Sequence, residues 1–155
     1  KEKLEALDVM TTFYPGFMTD WQGPWVIMMT QADGISVVHE TVYENRFSYV
    51  KELEKMGAEI EQFNPQVKNP EKFYNFNYDD NMPEYRHAVR ISGSTPLHNA
   101  VIYISDLRAG ATLVLAALCA DGESIIFGVE HLDRGYEKFE KRLKSLGANI
   151  KREIE

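Results

Sequence analysis

The order of apolar and polar positions divides this 155-residue chain into short strands and amphipathic helices, and does so twice in the same sequence. Residues 7–11 (Leu-Asp-Val-Met-Thr) suit a short strand that the turn Tyr14-Pro15-Gly16-Phe17 stops. A mostly apolar run predicts a helix over residues 20–32. Thr19 or Asp20 would cap it, and Pro24 falls in its first turn, where a missing N–H does little harm. Residues 35–42 (Ile-Ser-Val-Val-His-Glu-Thr-Val) are rich in β-branched side chains and predict a strand. Val50, Leu53 and Met56 then share one helix face, Lys51, Glu52, Glu54 and Lys55 fill the other, and Gly57 is a natural C′ residue. Glu59 to Phe63 predicts a further strand.

The second copy obeys the same grammar. Leu107 to Ala120 is almost wholly apolar and predicts a buried helix; Ser124 to Val129 predicts a strand. Tyr136, Phe139, Leu143 and Leu146 line one face of a last helix ended by Gly147, and Asn149 to Ile154 predicts a final strand. The punctuation matches as well: Thr19-Asp20 with Ser105-Asp106, Ala32-Asp33-Gly34 with Ala120-Asp121-Gly122, and Met56-Gly57-Ala58 with Leu146-Gly147-Ala148. The copies are offset by 86 residues at Asp20 and Asp106, 88 at Gly34 and Gly122, and 90 at Gly57 and Gly147. So slow a drift marks a duplicated supersecondary unit. Each copy reads strand-helix-strand-helix-strand, which calls for an α/β (α+β) arrangement with helices packed on sheet. The units cover about residues 7–63 and 99–155, separated by an excursion over 64–98. The excursion holds four of the six prolines (Pro65, Pro70, Pro83, Pro96) and a polar-aromatic run from Tyr74 to Asn81. It is expected to be a long connection with short extended pieces such as Ala88 to Ile91.

With 44% hydrophobic and 26% charged residues, the composition is that of an ordinary globular core. A net charge of −7 argues against a nucleic-acid or anionic-membrane surface, so an acidic ligand must be held by local arginines. The single cysteine, Cys119, excludes an internal disulfide and fits a reducing, cytoplasmic compartment. The run from Leu113 to Ala120 is far shorter than a membrane span. Lys1 to Ala6 carries neither an initiator Met nor a signal pattern, which leads to the expectation that the chain is a piece of a longer protein.

Candidate chemistry sits on the repeated turns. Asp20 and Asp106 each fall at a predicted helix start, where a carboxylate accepts orphan N–H groups. An acid fixed there is also placed to orient a substrate hydroxyl. Arg46 and Arg134 each follow a cap-like residue, Asn45 or Asp133, at a predicted helix start that disfavours a cation. Either a salt bridge or capture of a phosphate or carboxylate by the guanidinium fork accounts for the repetition. Arg108 repeats the theme two residues after Asp106. Cys119 reads as core packing in an Ala/Leu helix. His39, His87, His98 and His131 lack metal-ligand spacing, Asp79-Asp80-Asn81 lacks the glycine of a calcium loop, and no Walker, GxSxG or GxGxxG motif occurs. No metal and no cofactor are therefore expected.

Four ordered motifs carry a resemblance. They are Tyr14-Pro15-Gly16-Phe17-x-Thr19-Asp20, the string from Glu40 to Phe47, the string from Asp106 to Ala116, and His131-Leu132-Asp133-Arg134-Gly135-Tyr136-Glu137 followed by Leu146-Gly147-Ala148. Together they closely resemble the UDP-N-acetylglucosamine 1-carboxyvinyltransferase family of the EPSP synthase-like superfamily, and only residues 64–98 fall outside them. The resemblance implies an inside-out α/β barrel of two similar domains, each built from three βαβαββ units, with this chain most of one domain toward the C-terminus. It implies transfer of the enolpyruvyl group of phosphoenolpyruvate to the 3-hydroxyl of UDP-N-acetylglucosamine, through a tetrahedral adduct, with release of phosphate. By motif, Asp20 would contact that hydroxyl as the base and Val42 would touch the nucleotide sugar through its backbone. Arg134 would grip phosphoenolpyruvate on domain closure, and Arg46 and Arg108 would line the anionic site. The sequence departs from the family at Met18, which stands where proline is usual, and across Trp21-Gln22-Gly23-Pro24-Trp25. The family's catalytic cysteine loop, and the lysine and arginine on the donor's other side, have no counterpart here. Two alternatives stand beside this reading. One is the shikimate-pathway enolpyruvyl transferase, against which the Asp106–Gly110 and Asp133–Glu137 strings weigh. The other is a non-catalytic nucleotide-sugar-binding module that uses the aromatic excursion as a partner surface.

Overall fold

A computed structural model describes residues 3–153 and gives the first unit as β1 (Val9–Met10), α1 (Gln22–Thr30), β2 (Gly34–His39), α2 (Val50–Lys55) and β3 (Glu59–Phe63). The excursion contributes α3 (Pro70–Phe73) and then β4 (Ala88–Gly93), which pairs antiparallel with both β2 and β3. The sheet order is β1-β2-β4-β3, with β1 parallel to β2. The extended piece expected at 88–91 is thus a central strand. Its Val89 and Ile91 are fully buried, whereas Arg90 points outward, pairs with Glu61 and lies 4.9 Å over the Phe63 ring.

The second unit comprises β5 (Val101–Tyr103), α4 (Leu107–Cys119), β6 (Ile125–Phe127), α5 (Glu130–Asp133) and α6 (Phe139–Ser145), with β5 and β6 parallel. Neither sheet closes into a barrel among the described residues. No helix among them is long and apolar enough to cross a membrane.

Several boundaries differ from the pattern reading. The strand expected to reach residue 42 stops at His39, because the Glu40 carboxylate accepts the N–H groups of Val42 and Tyr43 and turns the chain away from the ladder. A 3₁₀ turn over Thr19–Trp21 precedes α1, and Asp20 makes no side-chain cap; α1 starts at Gln22. Residues 149–153 form no strand, and Ile154 lies outside the described residues. Leu146 is 85% exposed rather than packed, since α6 has ended before it. Cys119 is exposed too: the last turn of α4 leaves the core, which corrects its assignment as core packing.

One core joins the two copies. Val26, Ile27 and Met29 of α1 and Leu53 of α2 pack with Val38, Val89 and Ile91 of the sheet and with Ala109, Leu113 and Ala116 of α4. Each fully buried leucine contributes about 1.5–3 kcal/mol relative to leaving it exposed. Helix α1 meets α4 at Gly23, where an added Cβ would lie 1.9 Å from the Thr112 hydroxyl oxygen. The absence of a side chain at Gly23 sets how closely the copies approach. Gly57 and Gly147 stop α2 and α6 at φ +90° and +97°, so the repeated Gly-Ala punctuation has one backbone cause in both units.

Candidate functional site

A cleft of about 490 Å³ opens between the copies, floored by the first turns of α1 and α4 and walled by the segment between β2 and α2. Its foundation is Glu40, a fully buried carboxylate. Oε1 accepts from the Thr11 hydroxyl at 2.9 Å and from the N–H groups of Val42 and Tyr43 at 2.8 and 3.1 Å; Oε2 accepts from the Thr19 hydroxyl at 2.8 Å. Four donors are enough to hold an ion away from water. The Thr11 hydroxyl in turn accepts from Thr41 N at 2.8 Å, and the Thr41 hydroxyl donates to Thr11 O at 2.6 Å.

From this base the network runs outward. Arg46 Nε donates to Thr19 Oγ1 at 3.1 Å, its Nη2 donates to Asp20 Oδ1 at 3.2 Å, and its guanidinium lies 4.9 Å over the Tyr43 ring. Arg108 Nε, from the other copy, donates to the same Asp20 oxygen at 2.5 Å. Asp20 Oδ2 has no hydrogen-bond partner among the described residues. Burial, and next the nearby Arg108, pull the Arg46 pKa below its ordinary value. The hydrogen bond to Asp20 raises that of Arg108. Two arginines, one from each side of the cleft, thus converge on one carboxylate.

Asp106 caps α4 as its sequence position suggests. Oδ1 accepts from the N–H groups of Arg108 and Ala109 at 3.0 and 2.9 Å, and Oδ2 accepts from the Ser48 hydroxyl of the first copy at 3.0 Å. Val42 is half-buried and its N–H is committed to Glu40. The helix-start reading of the arginines is corrected. Arg46 lies four residues before α2, and Arg134 follows the last residue of α5, so neither sits at the positive end of a helix dipole. Arg134 is exposed, has no ion-pair partner among the described residues and does not line the cleft, although Tyr136 does. Its neighbour Asp133 is held by both terminal nitrogens of Arg152, at 2.8 and 2.6 Å, which lowers the Asp133 pKa. No cluster of His, Cys, Asp and Glu suited to a metal occurs among the described residues.

Pattern reading gave Glu40, Gln22 and Tyr85 no role. Glu40 had a visible signal, an acid inside a β-branched run. Gln22 is almost fully buried, accepts from the Tyr49 hydroxyl at 2.9 Å and leaves Nε2 without a partner. Burial, and next the Glu40 charge, push the Tyr49 phenol well above its ordinary pKa, so it stays a neutral donor. Tyr85 reaches the cleft from the excursion, a contact between distant segments that local pattern does not encode.

Fold and site together define an α/β chain with a cleft between two strand-and-helix segments and an arginine-flanked carboxylate in that cleft. The sequence profile of the EPSP synthase (3-phosphoshikimate 1-carboxyvinyltransferase) family matches residues 1–143, and the chain belongs to that family. Among curated relatives, UDP-N-acetylglucosamine 1-carboxyvinyltransferase of Protochlamydia amoebophila is 46% identical over 145 residues, which is 94% of this chain and 30% of the relative. UDP-N-acetylglucosamine 1-carboxyvinyltransferase 2 of Bacillus subtilis is 42% identical over 153 residues, 99% of this chain and 30% of the relative. The chain therefore spans about 30% of the length of these relatives. Among solved structures, the enolpyruvyl transferase NikO from Streptomyces tendae superposes with a TM-score of 0.74 at 27% identity, covering 97% of this chain and 30% of that one. EPSP synthase from Acinetobacter baumannii, at 18% identity and a TM-score of 0.61 over 96% of this chain and 29% of that one, shares the fold.

Proposed function

We propose that this chain is part of an enolpyruvyl transferase that joins the enolpyruvyl group of phosphoenolpyruvate to the 3-hydroxyl of UDP-N-acetylglucosamine. That reaction opens peptidoglycan synthesis in the cytoplasm and so serves cell-wall formation, cell shape and division. The observation that carries the reading is Asp20, a cleft residue held through Oδ1 by both Arg46 and Arg108. Asp20 takes the proton of the sugar hydroxyl as the hydroxyl oxygen bonds to C2 of the enol, and a general acid supplied by the rest of the protein protonates C3 to complete a tetrahedral adduct. Loss of a C3 proton and rupture of the bond from C2 to the phosphate oxygen then regenerate the enol and release phosphate. Arg46 and Arg108 offset the negative charge of the donor where it meets the acceptor. Val42 contacts the nucleotide sugar through its backbone, and Arg134 closes on the phosphate from the end of α5. In this reading the two copies are two of three βαβαββ units in one domain of an inside-out barrel, and a second domain supplies the rest of the cleft.

The names of the relatives at 46% and 42% identity support UDP-N-acetylglucosamine as acceptor over 3-phosphoshikimate, for which the structural neighbour is 18% identical. The test is phosphate release by the full-length protein given phosphoenolpyruvate and either acceptor. Release with UDP-N-acetylglucosamine alone is expected; release only with 3-phosphoshikimate overturns the assignment.

A further inference from the structure

The excursion stands outside every motif of the family resemblance, yet it reaches the site twice. Asn75 N donates to Thr41 O at 2.7 Å and Asn75 Nδ2 to the Thr41 hydroxyl at 3.2 Å, so the excursion braces the segment that carries Val42 and Arg46. Tyr85 is itself a wall of the cleft.

The presentation of Tyr85 is built, not incidental. Asn64 brackets it: Nδ2 donates to Tyr85 O at 3.2 Å while Oδ1 accepts from His87 N at 2.9 Å. Arg86 donates a second bond to Tyr85 O at 2.9 Å and another to Pro83 O at 2.8 Å. His87 anchors the far side. It is buried, bonds Asn81 Oδ1 at 3.0 Å, and packs against Tyr74 and Phe76 with ring centroids 4.8 and 5.1 Å away. The backbone on either side of Tyr85 is thus hydrogen-bonded from inside the excursion, and its part-exposed side chain lines the cleft.

We propose that Tyr85 is a specificity residue for the acceptor: its ring packs against the uncharged sugar or base face of the nucleotide sugar, beside Tyr43. This rests on the acceptor assignment made above. Charge decides against the donor as its partner. Tyr85 stands between Glu84 and Arg86 in sequence, so its immediate neighbours offset one another in charge. The arginines that attract a dianionic phosphate converge on Asp20, whereas Tyr85 offers an uncharged ring. An uncharged aromatic face suits an apolar sugar or base surface carrying hydroxyls.

The test uses the full-length protein, with both the dissociation constant of UDP-N-acetylglucosamine and the KM of each substrate measured for wild type, Tyr85→Ala, Tyr85→Leu and Tyr85→Phe. Removing the ring raises the acceptor constants about tenfold in the alanine and leucine variants. Phenylalanine restores them to within about twofold, and KM for phosphoenolpyruvate moves by less than about twofold in all three. The leucine variant keeps apolar bulk at the turn and so guards against loss of folding. An unchanged acceptor constant in a working Tyr85→Leu enzyme overturns this proposal and leaves the acceptor assignment intact. A wild type that neither binds nor turns over UDP-N-acetylglucosamine overturns both.

Discussion

Asp20 shows how residue-scale magnitudes separate a role in reaction from a role in folding. It is 59% exposed and its partner Arg108 is 50% exposed, so their ion pair contributes at most about 1 kcal/mol in water. In the full-length enzyme Asp20→Asn is expected to lower kcat by roughly 10²-fold, the scale of losing a general base, while the melting temperature barely moves. A fall in melting temperature with kcat preserved would reduce Asp20 to a structural link. Glu40 should behave in the opposite way. Glu40→Gln keeps the shape but turns one acceptor oxygen into a donor facing a hydroxyl or N–H, a loss on the order of 2 kcal/mol for a buried polar mismatch. Denaturant unfolding should register it directly. Arg134→Lys retains charge without the fork, and KM for phosphoenolpyruvate should rise about tenfold while nucleotide-sugar binding holds; an unchanged donor constant would exclude Arg134 from the site. At this scale the sequence exposed the charged residues but not their geometry. Asp20 and Asp106 look alike in the repeat, yet only Asp106 caps a helix, because Asp20 is drawn across the cleft by arginines 26 and 88 residues away.

Elements were most legible where periodicity and a stop signal agreed. The α2–Gly57–β3 segment and α4 follow their apolar faces closely. Boundaries failed where a side chain competed with the backbone, as Glu40 does after β2, or where little buried the segment, as at residues 149–153. Gly23→Ala tests the α1–α4 contact. Overpacking there should cost about 1–3 kcal/mol, and adding Thr112→Ala should restore part of it, a coupling that a double-mutant cycle measures. The excursion carries its own test. Burial, and next the charge of His87, push the His39 pKa down to about 4, and burial, then Arg86, also lowers His87. His39 stacks on Phe73 at 5.4 Å and meets the Tyr74 hydroxyl at 3.3 Å, so neutral imidazoles belong to the folded state. The unfolded chain holds the extra protons between the unperturbed value of about 6.5 and about 4, so stability falls as pH drops through that window. Denaturant midpoints at its two ends should differ, and His39→Asn should shrink the difference.

At the scale of the whole molecule, the repeated punctuation was plain in the sequence because it is covalent and local. The cleft was not, since it exists only where two distant segments meet. Asp20 and Arg108 are 88 residues apart, and bringing them together closes a long loop whose entropy is lost before any contact compensates it. Each unit, by contrast, closes much shorter loops around its own helices. The reactive corner should accordingly be the last part of the chain to set during folding and the first to open. In kinetic terms, Gly23→Ala should quicken unfolding and leave the refolding rate nearly unchanged, a φ-value near zero in stopped-flow measurements. The place where chemistry is proposed would then form only after the segments that flank it have already set.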